Sequence, residues 1–148
     1  PAFTEAYTKS DFGWMQNTYK KMARLYRWVA LLIVAMVVCS PVVYRLWIGR
    51  VDIVPFSMSV MVGVYMLSSS WDSLQVNLIN GIGKIKLQSY VTLLGLFLHI
   101  PLSLFLGKYI GALGVVTSML AINLTYATFF TIQINKIINK KATGIWNK

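Results

Sequence analysis

The sequence predicts an all-α integral membrane protein: about four transmembrane helices preceded by a juxtamembrane amphipathic helix. Three observations carry this. Of 148 residues, 57% are hydrophobic and only 12% are charged, whereas a soluble domain carries about a quarter charged residues. The apolar residues fall into runs of spanning length, about 20 residues each. The basic residues gather between alternate runs.

Residues 1–27 read as an amphipathic cytoplasmic or interfacial segment. Ser10 or Asp11 caps its helix, Trp14, Met15, Tyr19, Met22 and Tyr26 face the lipid interface, and Lys20, Lys21, Arg24 and Arg27 snorkel. The start at Pro1, within a polar segment, is what a piece of a longer protein would show. The first apolar run begins at Trp28 and lacks a small-residue cleavage pattern, so it is a span rather than a signal peptide.

Residues 28–138 form the transmembrane domain, with spans at 28–48, 55–80, 87–106 and 110–132. Trp28 and Trp47 bracket the first as an aromatic belt does, Pro41 kinks it, and Arg45 sits at its outer rim. A short loop from Gly49 to Asp52 leads to Pro55, suited to a first helical turn. The second span is apolar in its outer half and rich in Ser, Asn and Gln in its inner half. Tyr65, Ser69, Asp72, Ser73, Asn77 and Asn80 share one helical face, and Leu67, Trp71, Leu74 and Leu78 share the opposite one. Gly81 to Lys86 is a basic turn. The third span carries His99 two residues before Pro101. The fourth carries a stripe of small residues, Gly111, Gly114, Ser118, Ala121, Thr125 and Thr128, which suits close helix packing in lipid. Asn123 lies off that stripe, so a second helix or a cavity covers it. Residues 139–148 are a basic cytoplasmic tail.

The net charge of +10 is unevenly placed. Eleven basic residues precede the first span, lie between the second and third, or follow the fourth, against three on the other side (Arg45, Arg50 and Lys108). That bias puts both termini and the middle loop in the cytoplasm, and no basic–aromatic patch for nucleic acid is left over. The single Cys39 excludes an intramolecular disulfide. One histidine, one cysteine and four acids in no metal-ligand or nucleophile–base spacing argue against an enzyme, a metal or another cofactor.

Three stretches resemble the C-terminal part of bacterial polysaccharide flippases of the O-antigen or capsule type, in the superfamily that includes multidrug-and-toxin-extrusion transporters and the lipid II flippase. They are Pro1 to Ala6 with Asp11 and the basic run to Arg27, Asn77 to Lys86, and Gly107 to Val116. Each is degenerate; together they are spread over most of the chain's length. The resemblance implies the last part of the second lobe of a two-lobed carrier, roughly spans nine to twelve of twelve. It implies a multi-pass protein of the bacterial inner membrane that moves undecaprenyl-diphosphate-linked sugar repeats for lipopolysaccharide or other surface polysaccharide. Its partners would be membrane lipid and the remaining spans of the same transporter, and this chain alone would not transport.

Each notable residue has two readings. Tyr65, Ser69, Asp72, Ser73 and Asn77 line a hydrated cavity, or Asp72 pairs with nearby amides and hydroxyls to fix packing. His99 relays a proton, or it donates to a carbonyl freed by Pro101. Arg45 and Arg50 bind diphosphate, or they anchor the rim. The middle-loop and tail lysines meet anionic headgroups, or they set topology. For the whole chain, a lipid-linked sugar transporter, a multidrug-type exporter and a non-transporting membrane assembly subunit stay open.

Overall fold

Gly49, Gly83 and Gly111, each at positive φ, mark where the helices of this chain end or break, whereas Pro41 and Pro101 lie within helices. The computed structural model describes residues 2–50 and 54–148. Pro1 and the Val51–Ile53 part of the expected loop, including Asp52, lie outside the described residues. Among the described residues the chain is all-helical, without strands: α1 (Ala2–Thr8), α2 (Phe12–Ile48), α3 (Phe56–Ile82), α4 (Lys86–Ile138) and a short 3₁₀ turn (Gly144–Asn147).

Asp11 caps α2, its carboxylate accepting the Trp14 N–H at 3.0 Å. The helix runs unbroken through Trp28, so the amphipathic segment and the first span are one element. It also continues past Pro41 to Ile48. Proline has no N–H for the carbonyl four residues back, and the Ser40 hydroxyl donates to that Val37 carbonyl at 2.8 Å instead. Trp28 and Trp47 are exposed at 69% and 84%. Nineteen helical steps separate them, about 28 Å, close to the thickness of a bilayer's hydrocarbon core.

The amphipathic face departs from expectation. Met15 and Tyr19 do not face lipid; they are buried, with Ile79, Phe130 and Ile134, in the core at this end of the bundle. Phe3 and Ala6 of α1 complete that core. Lys20, Lys21, Arg24 and Arg27 stay exposed. An interfacial helix and a core helix have the same periodicity; only its partners distinguish them.

α3 starts after Pro55 and ends at Gly83, whose φ of 79° is the left-handed cap that glycine accepts without strain. α2 and α3 run antiparallel. Tyr26 donates to the Leu67 carbonyl at 2.7 Å near one end of the pair, and Tyr44 meets Ser59 at 3.2 Å near the other.

α4 has 53 residues. Drawn straight it would reach about 80 Å, far more than a bilayer core. It breaks at Ile110 (φ −129°, ψ 20°) and Gly111 (φ 61°, ψ −142°). The second pair of angles is a backbone region essentially reserved for glycine. Beyond the break the chain folds back. Gly114 lies against the Leu106 carbonyl, the Tyr126 hydroxyl donates to the Thr92 carbonyl at 3.2 Å, and Gln133 donates to the Lys84 carbonyl at 2.9 Å. The arms 86–109 and 112–138 therefore form an antiparallel hairpin. The expected third and fourth segments are both present, joined by a two-residue break instead of a loop.

Two helices, α2 and α4, are long and apolar enough to cross a membrane, and only 6% of the most apolar stretch of each is buried. Leu31, Leu32, Met36, Leu46, Phe97 and Leu104 project outward, each at least 60% exposed. An apolar surface of that extent calls for membrane association. α3 is long enough but too polar in its inner half to qualify by composition.

The basic tail is not a free extension. Lys86 N–H donates to the Lys148 carbonyl at 3.2 Å, and Trp146 stacks on Phe129 with ring centroids 6.3 Å apart. The tail closes over the turn between α3 and α4.

Candidate functional site

Gly95 of the first α4 arm has no side chain, and Tyr126 of the second arm fills the space: a Cβ at residue 95 would overlap its ring and hydroxyl. With its hydroxyl bonded to Thr92, Tyr126 becomes one wall of a cavity of about 320 Å³ between α3 and the α4 hairpin. Tyr65, His99, Met119 and Asn123 line the rest of it that matters here.

Three polar atoms at or beside this cavity lack partners. The Asn123 amide donates to Asp72 Oδ2 across a long 3.4 Å. Asp72 Oδ1, Asn123 Oδ1 and His99 Nε2 are buried with no hydrogen-bond partner. Buried polar atoms in that state cost about 1–3 kcal/mol each, so they await water or a ligand. The group offers a carboxylate and an amide oxygen as acceptors, and an imidazole nitrogen that can donate or accept. A small polar or cationic guest, or a chain of waters, suits it. No group of three His, Cys, Asp or Glu side chains able to hold a metal occurs among the described residues.

The five residues expected to line a cavity divide. Tyr65 lines this one, and Asp72 reaches it through Asn123. Ser69 is half-buried, while Ser73 and Asn77 are exposed on the far side of α3, where the Asn77 amide bonds back to the Ser73 carbonyl at 2.8 Å. The packed side of α3 carries Ser68, Gln75, Leu78 and Ile79, with Trp71 beside them donating to Thr131 at 2.8 Å. That side is turned about a quarter of a revolution from the division into polar and apolar faces. Tyr65 and Asp72 consequently lie on its edge, and Ser73 and Asn77 lie outside.

His99 is half-buried in the cavity wall, and its Nε2 makes no bond to a carbonyl freed by Pro101. The stripe of small residues divides as well. Gly111 is the break, Gly114 and Ser118 are buried, and Ala121, Thr125 and Thr128 are exposed, the last two bonding to their own helix. Asn123 is covered by α3 and the cavity together. Gly95, Thr92 and Tyr126 carry no signature in the sequence beyond a glycine set amid leucines.

A second polar group lies nearer the basic end. Gln75 is fully buried, with the Tyr19 hydroxyl and Asn135 beside it. Burial pushes the Tyr19 phenol above its ordinary value, and these two amides partly counter the shift. A larger cleft of about 950 Å³ between α2 and α3 is walled chiefly by Val, Ile and Met side chains. Its hydroxyls are already engaged, Tyr44 with Ser59, and Ser40 and Ser70 with carbonyls of their own helices.

No model of a protein family, no curated protein and no solved structure matches the chain.

Proposed function

We propose that this chain is the C-terminal part of a membrane transporter that moves lipid-linked oligosaccharide repeats across the bacterial inner membrane. In this reading α2, α3 and the two arms of α4 are four spans, with both termini cytoplasmic. The observation that carries it is the outward polar strip of α3. Ser73 and Asn77 are exposed on a helix flanked by two others of spanning length and apolarity. Polar groups on a spanning helix turn toward water or protein rather than lipid. A strip of them on the outer surface of a four-helix unit suits a hydrated cavity shared with a second lobe.

The charges support the same orientation. The turn at Lys84–Lys86, the tail lysines and the start of α2 meet at one end of the bundle through the Gln133–Lys84 and Gln16–Ile138 contacts. Arg45 closes α2 at the other end, and Lys108 adjoins the Gly111 break. The sugar-lipid cargo rests on the resemblance in the three sequence stretches. A multidrug-type exporter shares the two-lobed plan and differs in the cargo of the cavity.

The test has two parts. Cysteines at Ser73 and Asn77, in the full-length protein with Cys39 replaced by serine, are expected to react with a membrane-impermeant thiol reagent. Protection of both would favour an assembly subunit whose strip is covered by protein. Asp72→Asn keeps volume and the Asn123 contact but removes the charge. It is expected to abolish export of surface glycan at unchanged protein abundance. Full export would reduce Asp72 to a packing residue, and loss of the protein would assign it a structural role.

A further inference from the structure

The middle loop and the tail are far apart in sequence and are brought together at one corner. Lys86 N–H bonds the Lys148 carbonyl at 3.2 Å. The Gln133 amide holds the Lys84 carbonyl at 2.9 Å and reaches that of Trp146 at 3.5 Å. The Lys136 ammonium sits 4.0 Å over the Trp146 ring, and that ring stacks on Phe129. The backbones of Lys84 and Lys86 thereby meet the tail at one corner of the fold, where Lys136 lies over Trp146.

Lys84, Lys86 and Lys136 form no ion pair among the described residues. Glu5 pairs with Lys9 at 2.6 Å, away from this corner. Asp11 is occupied in capping α2, and Asp72 lies beside Asn123. Topology requires basic residues on this side of the membrane but not their convergence. Like charges held together by a folded tail repel unless an anion joins them. The N-terminus of α4, at Lys86, adds its positive dipole end. Tryptophan is enriched at headgroup level, where the matching anion is a phosphodiester.

We infer that the corner formed by Lys84, Lys86, Lys136 and Trp146 binds the headgroup of an anionic phospholipid. The folded tail is part of the site, since Trp146 positions Lys136. The site is independent of the transport cargo and requires only membrane association.

The test uses the full chain in neutral detergent, with phosphatidylglycerol or phosphatidylcholine of the same acyl chains, and native mass spectrometry to count bound lipid. The wild type is expected to retain phosphatidylglycerol preferentially. Lys86 is exposed and Lys136 half-buried, so K86Q/K136Q leaves the core intact. It should weaken phosphatidylglycerol retention about thirtyfold, the effect of two lysines near an anionic surface. K20Q/K21Q removes the same charge from an exposed stretch of α2 outside the corner and should change retention less than about threefold. Trp146→Ala keeps every charge and should weaken retention about fivefold by releasing Lys136. Equal losses from both lysine pairs would overturn the inference in favour of diffuse attraction. Unchanged retention in the Trp146 variant would overturn the tail's part in it. Displacement of the lipid by inorganic phosphate would mean a site for free anions instead.

Discussion

Gly114 is the tightest point of the α4 hairpin. A Cβ there would run into the carbonyl of Leu106 and approach Gly107 N at 2.8 Å. Both obstacles are backbone, so neither can rotate away as a side chain could. Gly114→Ala must spread the two arms just below the Gly111 break. Overpacking of this kind costs about 1–3 kcal/mol. The gain in helix propensity from replacing glycine returns at most about 1 kcal/mol, so the balance is destabilising. Gly114→Leu should be worse, because its side chain has no space on that face. Leu113, half-buried one residue away, provides the comparison through Leu113→Phe. Expressed in membranes and extracted in mild detergent, Gly114→Leu should lose most of its monodisperse fraction on size-exclusion chromatography. Gly114→Ala should unfold several degrees lower, and Leu113→Phe should stay near the wild type. Equal behaviour of Gly114→Leu and Leu113→Phe would refute the reasoning, because the arms could then not be in backbone contact.

The helical class and membrane-length apolar runs were legible because composition and run length are properties of the chain alone. So were the Asp11 cap and the Gly83 turn, where local chemistry decides. The orientation of faces was not legible. On α3 the packed side carries Ser68 and Gln75, both buried, since in an apolar solvent a helix has as much reason to bury polar groups as apolar ones. Met15 and Tyr19 erred in the opposite sense: their spacing suits a lipid interface, but α1, α3 and α4 offer them a core. Within the site, Asn123 showed itself as a polar residue off its helix's small-residue stripe. Tyr126 did not, because its role depends on the gap at Gly95, thirty-one positions away. The folded tail depends on Trp146 meeting Phe129, and no local pattern marks that contact.

Three further predictions follow from particular contacts. With Cys39 replaced by serine, cysteines at the exposed positions Ile85 and Lys108 should label from opposite sides of the membrane; labelling of both from the same side would sink the proposed orientation. Trp71→Phe removes the bond to Thr131 but keeps the ring contact with Tyr26, and should cost about 0.5–1.5 kcal/mol in thermal unfolding; no change would mean that water replaces the indole donor. The last concerns Tyr19, whose hydroxyl lies beside Gln75 and Asn135 at the basic end of the bundle. Its phenol is raised above the ordinary value of 10.0 chiefly by burial, against smaller lowering effects from the two amides. The folded state therefore favours the neutral phenol more than the unfolded state does. The stabilisation is fully present below the unfolded value and is lost as pH rises through the folded one. Stability should accordingly be flat in neutral buffer and decline above about pH 10. Tyr19→Phe cannot ionise, so its unfolding temperature should fall less steeply over the same alkaline window. Parallel alkaline declines in the two proteins would show that other groups control that limb, and that Tyr19 is not sealed into the core.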